Sequence, residues 1–221
     1  MQELWKQVDG YLGSLLAPAD DALTAALATN HEANLPAIDV PVQLGKFLAL
    51  MIQISGSKRV LEIGTLGGYS TIWMARAIPA AGQVVTLELE PRHAEIARAN
   101  LARAGVLDRV DLRVGPALES LRKIHESGVA PFDFIFIDAD KKGLPEYLDW
   151  SLKLAHKGTI ILADNVIRDG RVIDAESADP HIQGTRRFLE LASAHPRLNA
   201  TVIQTVDSKG YDGFAMAVVL S

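Results

Sequence analysis

Short apolar runs, rich in β-branched residues and bounded by turn residues, recur through the middle of the chain. Each run is predicted to be a β-strand. Five of them cover residues 59–64, 83–89, 109–115, 132–138 and 158–164. Between them lie stretches with the helical spacing of apolar residues, which cover residues 91–105, 119–125 and 144–156. Alternating strands and helices, with strands that are apolar almost throughout, predict a parallel sheet covered by helices on both faces.

The two ends of the chain depart from this alternation. About the first 55 residues are predicted to be helical, with breaks at Pro18, Pro36 and Pro41. Near the carboxyl end, runs at 198–206 and 214–220 flank the segment SKGYDG, whose Tyr-Asp-Gly is a turn signal, and they predict a closing antiparallel pair. The length of 221 residues suits one domain. We therefore predict a single domain, residues 1–221, with a helical cap at 1–55 and a sheet core at 56–221.

The composition is that of an ordinary globular protein, with 48% hydrophobic and 22% charged residues. The formal net charge is −5 and no basic cluster interleaves with aromatic residues, which argues against a nucleic-acid partner. No apolar stretch approaches the roughly 18 residues that a membrane span needs, and the amino end lacks a signal-peptide profile. There is no cysteine, so disulfide and thiolate chemistry are excluded. We expect a cytoplasmic protein that has no membrane partner.

Chemically unusual residues stand at the ends of the predicted strands. They are Glu62–Gly64, Glu88, Gly115–Ala117, Asp138–Lys141 and Asp164–Asn165. Ligands of open α/β sheets bind beyond the carboxyl ends of the strands. The sequence therefore predicts one site, at one edge of the sheet, that collects all five strand ends.

The segment VLEIGTLGGYS is predicted to be a strand, a tight glycine turn and a helix that starts at Ser70. Glycine at position 64 lets the backbone approach a ligand closely. Leu66 stands where a dinucleotide-binding turn has its second glycine, which makes room for a pyrophosphate. Glu88, 24 residues after Gly64, is suited to hold both ribose hydroxyls of a nucleoside. The alternative is a plain turn and a surface acid.

S-adenosylmethionine is the nucleoside that fits this pattern. Its positive sulfonium and amino groups are matched by the acids Glu62 and Asp138, and it has no pyrophosphate. The turn Gly115–Ala117 is small enough for an adenine to lie against it.

Asp138, Asp164 and Asn165 are predicted to bind a divalent cation. Mg²⁺ prefers about six oxygen ligands, and Ca²⁺ or Mn²⁺ would also accept this donor set. Three open positions would take a vicinal aromatic diol and a water, and Lys141 lies where it can accept a phenolic proton. The alternatives are a weak exposed ion pair at Asp138 and Lys141 and a backbone-capping turn at Asp164–Asn165. Asp140 and Lys142 are interpreted as solvated loop charges, and the six histidines show no metal spacing.

Four segments together resemble the cation-dependent class I O-methyltransferases, a family that includes catechol and caffeoyl-CoA O-methyltransferases. The segments are VLEIGTLGGYSTIWMARAI, VVTLELEPRHAEIARANLARAGV, FDFIFIDADK and GTIILADNV, and the resemblance extends over about residues 35–220. It implies a Rossmann-like α/β fold with a seven-stranded, mostly parallel sheet, an antiparallel last strand and helices on both faces. DADK is more similar to the caffeoyl-CoA and bacterial branch than to the animal catechol branch.

The resemblance also implies roles for individual residues. Asp138, Asp164 and Asn165 would be the metal ligands, and Lys141 the catalytic base. The implied cofactor contacts are Val40, Glu62, Gly64, Thr65, Ser70, Glu88 on the ribose, Ala117 beside the adenine, and Asp138. At Val40 the match is imperfect, because many relatives have Ser-Pro where this chain has Pro41-Val42.

Fewer residues of the sequence bear on the acceptor substrate and on the oligomeric state. Bacterial members of the family are commonly homodimers that act on catechols, flavonoids or hydroxycinnamates, so a small aromatic diol substrate and a homodimer are expected. The loop 166–184 is predicted to be a lid or insertion that carries Arg168 and Arg171, which are available to an acidic substrate or solvated. The N-terminal helices, with Trp5 and Tyr11, would cover the site or form a dimer face.

The residues alone are compatible with three other functions. They are an NAD-dependent oxidoreductase on a similar sheet, a non-catalytic cofactor-binding module, and a methyltransferase that acts on RNA or protein. Leu66 argues against the first, and the complete set of Lys141 and three ligands argues against the second. The acidic balance argues against the third.

Overall fold

The computed structural model describes residues 1–221, which form eight α-helices and a sheet of seven strands. The helices are α1 (Gln2–Leu16), α2 (Asp21–Glu32), α3 (Val42–Ser55), α4 (Tyr69–Ala77), α5 (Pro91–Arg103), α6 (Ala117–Glu126), α7 (Leu144–Lys153) and α8 (Pro180–Ala194). The strands are β1 (Arg59–Ile63), β2 (Gln83–Glu88), β3 (Val110–Val114), β4 (Phe132–Ile137), β5 (Ala155–Ala163), β6 (Leu198–Asp207) and β7 (Gly210–Val219). Short 3-10 helices cover 107–109, 141–143 and 171–173.

The strand order in the sheet is β3-β2-β1-β4-β5-β7-β6. The first five strands pair in parallel, and β7 runs antiparallel to both β5 and β6. The predicted fold class is therefore confirmed, including the reversed last strand. The order reverses at β1 and β4, which is where a ligand is expected in an open α/β sheet.

Both faces of the central strands are buried, as the apolar runs predict. In β4, Phe134 and Phe136 pack with α2 to α5 on one face, whereas Ile135 and Ile137 pack with α6 to α8 on the other. Successive side chains of a strand point to opposite faces, so a strand covered on both sides is apolar at most positions.

The N-terminal residues form the predicted helices, separated at the predicted prolines. α3 packs against α4, and α2 packs against α5. α1 has no buried residue. No helix combines the length and the apolar character that crossing a membrane requires.

Two boundaries differ from the sequence prediction. The helix predicted at 144–156 ends at Lys153, because β5 begins at Ala155, opposite Phe132. Thr159 fixes this early start, since its hydroxyl accepts a hydrogen bond from His156 N and donates one to Phe132 O. The final hairpin turns at residues 208–209 rather than at Tyr-Asp-Gly, which lies within β7.

Candidate active site

A cavity of about 880 Å³ opens at the carboxyl ends of the parallel strands. Its wall includes residues that follow β1, β2, β4 and β5, namely Gly64, Glu88, Asp138 and Asn165. The backbone ladder continues into these ends, since Asp138 N donates to Ile63 O at 2.8 Å. The predicted collection of strand ends at one edge is thus what the fold produces, and the volume suits a small-molecule site.

The predicted roles divide the cavity wall into a cofactor end and an acceptor end. The cofactor end is lined by residues 38–40, 64–66, 69–70, 87–90, 93 and 116–118. The acceptor end is lined by residues 138–143, 146–147, 165, 168 and 181.

The glycine turn brings the backbone of β1 directly against that of β4. Gly64 has φ 102°, and a Cβ built on it would lie 2.1 Å from the backbone oxygen of Asp138. No other residue fits this position without moving the end of β4. Leu66 also adopts a left-handed conformation, with φ 50°.

Glu88 holds this turn in place. Its Oε2 accepts hydrogen bonds from Thr65 N at 3.2 Å and Leu66 N at 2.7 Å, and its Oε1 accepts one from Glu90 N at 2.9 Å. His93 Nδ1 lies 3.3 Å from the same Oε1. Glu88 also lines the cavity, so the residue that was predicted to bind the ribose is at the cofactor end and shapes the turn as well.

Glu62 lies behind the cavity wall rather than in it. It is fully buried and does not line the cavity; its carboxylate accepts hydrogen bonds from the hydroxyls of Ser70, Thr71 and Thr86 at 2.5, 2.5 and 2.6 Å. Burial raises the pKa of Glu62 to about 7, against the opposing effect of these hydroxyls. The hydroxyl of Ser70, which does line the cavity, is bound by Glu62 from behind, and a direct contact of Glu62 with the cofactor stays a prediction.

The remaining predicted cofactor residues lie at the cofactor end. Val40 and Ala117 contribute apolar wall, with Ala117 as the first residue of α6. Thr65 lines the cavity as well, while its hydroxyl is joined to that of Thr86 at 2.6 Å.

A chain of buried amides links the helical cap to the glycine turn, and the sequence patterns did not reveal it. Asn30 Nδ2 donates to Asp39 Oδ1 at 2.8 Å, and Asn100 Nδ2 donates to Asn30 Oδ1 at 3.0 Å and to Gly67 O at 2.9 Å. Asp39 lines the cavity, and burial raises its pKa. The cap therefore contributes to the cofactor end.

At the acceptor end, Lys141 Nζ lies 2.9 Å from Asp138 Oδ1. The ammonium side chain is only 7% exposed and the carboxylate 21%. This is not the exposed ion pair that the alternative interpretation requires, since both partners are held in the cavity wall.

Asp164 and Asn165 come from the neighbouring strand. Asp164 N donates to Ile137 O at 3.0 Å, which places the residue beside Asp138. Its carboxylate is buried and accepts no hydrogen bond from any side chain. Burial, together with the charge of Asp138, raises the pKa of Asp164 to about 7, although Lys141 acts in the opposite direction. Asn165 lines the cavity with φ 53°.

Asp212 on β7 shapes the loop that follows Asn165. Its Oδ1 accepts hydrogen bonds from Ile167 N, Arg168 N and Gly213 N at 2.9, 3.0 and 2.9 Å. Arg168 itself has φ 57° and lines the cavity. Sequence reasoning assigned no role to Asp212, because nothing in its local pattern connects it with a loop 45 residues earlier.

Asp140 is exposed, as its interpretation as a solvated loop charge requires, but it also makes hydrogen bonds that the sequence did not reveal. Its carboxylate accepts hydrogen bonds from the Tyr147 hydroxyl at 2.6 Å and from Gly143 N at 3.1 Å. Burial and the neighbouring Asp140 raise the pKa of Tyr147. Asp140 thus fixes the short helix that carries Lys141.

The donor set fits a hard divalent cation. Asp138 and Asp164 stand at adjacent strand ends, and Lys141 forms an ion pair with Asp138. Burial first, and the charge of Asp138 second, raise the pKa of Asp164. Carboxylate and amide oxygens are the ligands of Mg²⁺ and Ca²⁺. No group of three or more His, Cys, Asp or Glu side chains is placed to hold a metal ion, and the third donor of the predicted set is the Asn165 amide.

Comparison with known proteins identifies the family. The sequence profile described as O-methyltransferase matches residues 20–211. The chain is 49% identical over 217 residues to a Niastella koreensis protein named catechol O-methyltransferase, with 98% of each chain covered. It is 52% identical over 212 residues to a Mycobacterium tuberculosis protein of the same name, with 96% of this chain and 94% of the other covered.

A solved O-methyltransferase from Bacillus cereus, in complex with SAH, superposes with a TM-score of 0.98 at 56% identity, covering 99% of this chain and all of the other. The chain therefore belongs to the O-methyltransferase family, and the predicted class, a class I S-adenosylmethionine-dependent O-methyltransferase, is confirmed. The two alternative hypotheses, an NAD-dependent oxidoreductase and a non-catalytic cofactor-binding module, are therefore rejected.

Proposed function

We propose that the protein transfers a methyl group from S-adenosylmethionine to one hydroxyl of a small aromatic vicinal diol, in a reaction that depends on a divalent cation. The observation that carries this proposal is the paired Asp138 and Lys141 beside the buried Asp164, in one cavity with the glycine turn. The relatives named catechol O-methyltransferase support the substrate class.

S-adenosylmethionine would lie along the cofactor end. Glu88 stands where it can accept hydrogen bonds from ribose hydroxyls, because it lines the cavity and each carboxylate oxygen has more than one acceptor position. Ala117 and Val40 offer apolar surface to the adenine and to the remainder of the ligand. A bound S-adenosylhomocysteine in the Bacillus cereus relative supports this assignment.

Asp138, Asp164 and Asn165 would hold the cation, with Mg²⁺ first among the candidates. When bound, such a cation supplies a Lewis acid that orients and acidifies a diol hydroxyl. The protein's part is to keep the three oxygens on adjacent strand ends, which the hydrogen bond from Asp164 N to Ile137 O ensures.

Lys141 would take the proton of the acceptor hydroxyl. Its nearly buried Nζ lines the acceptor end, and as a neutral amine it has a lone pair available for that proton. Asp138, 2.9 Å away, stabilises the ammonium that results. The wall then keeps the acceptor oxygen in line with the methyl group, and alignment is the largest gain for a reaction between two bound molecules.

A methyl-transfer assay tests the proposal. Catechol and S-adenosylmethionine are incubated with the protein, after treatment with EDTA and after addition of Mg²⁺, Mn²⁺ or Ca²⁺, and the methylated product is quantified by chromatography. Turnover that disappears with EDTA and returns with metal is expected. Full turnover in EDTA would refute the metal assignment, and no turnover with any catechol would refute the substrate class.

We also propose that the protein is a homodimer whose interface includes α1. The outward side of α1 carries Leu4, Tyr11 and Leu15 at helical spacing, and each of these is 59% to 65% exposed. Polar contacts hold α1 to the molecule, including Ser208 N to Asp9 Oδ2 at 2.7 Å, which leaves the apolar side free for a second copy. Light scattering should give twice the chain mass, and Leu15→Glu should give a monomer; a monomeric native protein would contradict this.

A further inference from the structure

Arg168 is the arginine whose side chain makes no hydrogen bond and no ion pair within the protein. Its Nε is buried without a partner, whereas each of the other arginines contacts a carboxylate, a carbonyl or a hydroxyl. Arg171, in the same loop, is typical of them, since its guanidinium lies 2.8 Å from Asp179 Oδ2. A guanidinium has five N–H donors in a fixed fork, and no hydrogen bond within the protein uses those of Arg168.

The backbone at Arg168 is built to hold this side chain at the cavity. The residue has a left-handed φ of 57°, which side chains rarely adopt. Its N–H is bound by the Asp212 carboxylate at 3.0 Å, and that carboxylate also binds the preceding residue. The conformation is therefore imposed from β7, and it brings the side chain to the acceptor end, three residues after Asn165.

No carboxylate forms an ion pair with the guanidinium of Arg168, and the carboxylate of Asp212 binds its backbone N–H instead. Asp138 is occupied by Lys141, and Asp140 by the Tyr147 hydroxyl and a backbone N–H. Glu146 is the remaining carboxylate at the acceptor end, and no bond joins it to Arg168. Lys142 and His181 add further basic side chains to the same wall.

We propose that Arg168 binds a carboxylate on the acceptor ring, so that the preferred substrate is an aromatic vicinal diol that also carries a carboxylate. This inference rests on the proposed function and narrows its substrate class. Arginine and carboxylate form two parallel hydrogen bonds, which fix orientation as well as adding affinity. Arg168 would thus select the acid and also set which diol oxygen faces the methyl donor.

The test uses three acceptors of the same size that differ in charge: 3,4-dihydroxybenzoate, 3,4-dihydroxybenzamide and 3,4-dihydroxybenzylamine. The kcat/KM of each is measured with saturating S-adenosylmethionine and Mg²⁺, and equilibrium binding of each is measured by calorimetry in the presence of S-adenosylhomocysteine and Mg²⁺. The benzoate is expected to exceed the benzamide by about 10- to 100-fold, as for a hydrogen bond to a charged group, and the benzylamine should be the poorest.

Two substitutions and a control separate recognition from structure. Arg168→Met should reduce the ratio of the benzoate kcat/KM to the benzamide kcat/KM to about one. Arg168→Lys should retain part of the preference, because a point charge remains without the fork. Arg171→Met, in the same loop but outside the cavity wall, should leave the preference intact.

Several results would overturn the inference. They are a native enzyme that prefers the benzamide or the benzylamine, a benzoate preference that survives Arg168→Met, and an Arg168→Met variant that binds S-adenosylhomocysteine normally but methylates none of the three. The benzamide also keeps the two proposals apart. Its methylation without any benzoate preference would refute the role of Arg168 alone, whereas no methylation of any acceptor by the native enzyme would refute the proposed function.

Discussion

Replacing Asp164 with asparagine should stabilise the metal-free protein at alkaline pH. Asp164 is a buried carboxyl next to Asp138, and these two causes raise its pKa from 3.8 to about 7. A group whose folded pKa is raised favours folding while it is protonated, so its contribution is complete below about 3.8 and is lost as the pH rises through about 7. Asparagine keeps the shape without the charge.

The size of the effect on the unfolding free energy follows from the shift in the pKa of Asp164. At 1.36 kcal/mol for each pKa unit, the charge of Asp164 costs the metal-free protein at most about 4 kcal/mol at pH 8.5. At pH 5 less than half of this cost has developed, because the folded carboxyl is still protonated. The gap in unfolding free energy between Asp164→Asn and the native protein should therefore widen by about 2 to 3 kcal/mol from pH 5 to pH 8.5.

The assay is urea unfolding followed by circular dichroism, in EDTA, at several pH values between 5 and 8.5. Glu62 also titrates near pH 7 in the folded state, but it is present in both proteins and cancels in the difference. Asp149→Asn is the matched control: this carboxylate lies in an exposed pair with Lys153, and its removal should change stability by less than about 0.5 kcal/mol.

Magnesium should narrow the difference in unfolding free energy between the two proteins. In the native protein at pH 8.5, Mg²⁺ at 100 times its Kd adds about 2.7 kcal/mol, whereas Asp164→Asn should gain almost nothing. An Asp164→Asn protein that is less stable than the native one in EDTA at pH 8.5, or that gains as much from Mg²⁺, would refute the assignment of Asp164 as a buried, uncompensated metal ligand.

Three further substitutions have defined expectations. Lys141→Ala should lower turnover most near neutral pH and recover at alkaline pH, with unchanged affinity for S-adenosylhomocysteine by calorimetry; an unaltered pH profile would count against proton transfer by this residue. Gly64→Ala should weaken S-adenosylhomocysteine binding at least about tenfold, because its Cβ would lie 2.1 Å from the Asp138 oxygen, whereas Gly10→Ala meets open space and should bind normally. Asp212→Ala should cost about 2 kcal/mol in urea unfolding, since three backbone donors lose a charged acceptor; Asp212→Asn, which keeps the oxygen, should cost less than half as much, and equal losses would show that the hydrogen bonds do not carry the effect.

The overall arrangement could be predicted because it follows from local signals. An apolar strand that ends in charged residues specifies both its burial and its direction, and parallel strands must bring their carboxyl ends to one edge. Asp138 and Asn165 reached the same cavity for that reason alone.

The sequence did not reveal side-chain hydrogen bonds whose partner lies on another helix or strand. Glu62 has the acidic character expected of a ligand-binding residue, and hydroxyls on α4 and β2 bind its carboxylate behind the cavity wall. Asp140 is exposed, as predicted, but it also accepts a hydrogen bond from Tyr147 on α7. The early start of β5 depends on Thr159 reaching across to β4. In each case a side-chain hydrogen bond, which no periodicity encodes, decided the outcome.

The reversed direction of β7 has a consequence for the order of folding. β6 has no neighbour in the sheet other than β7, so it stays unpaired until β7 has joined the sheet. The loop that carries Arg168 depends on the same step, because Asp212, whose carboxylate shapes this loop, lies on β7. A folding intermediate that contains only the five parallel strands would therefore have the methyl donor's half of the pocket without a finished partner half.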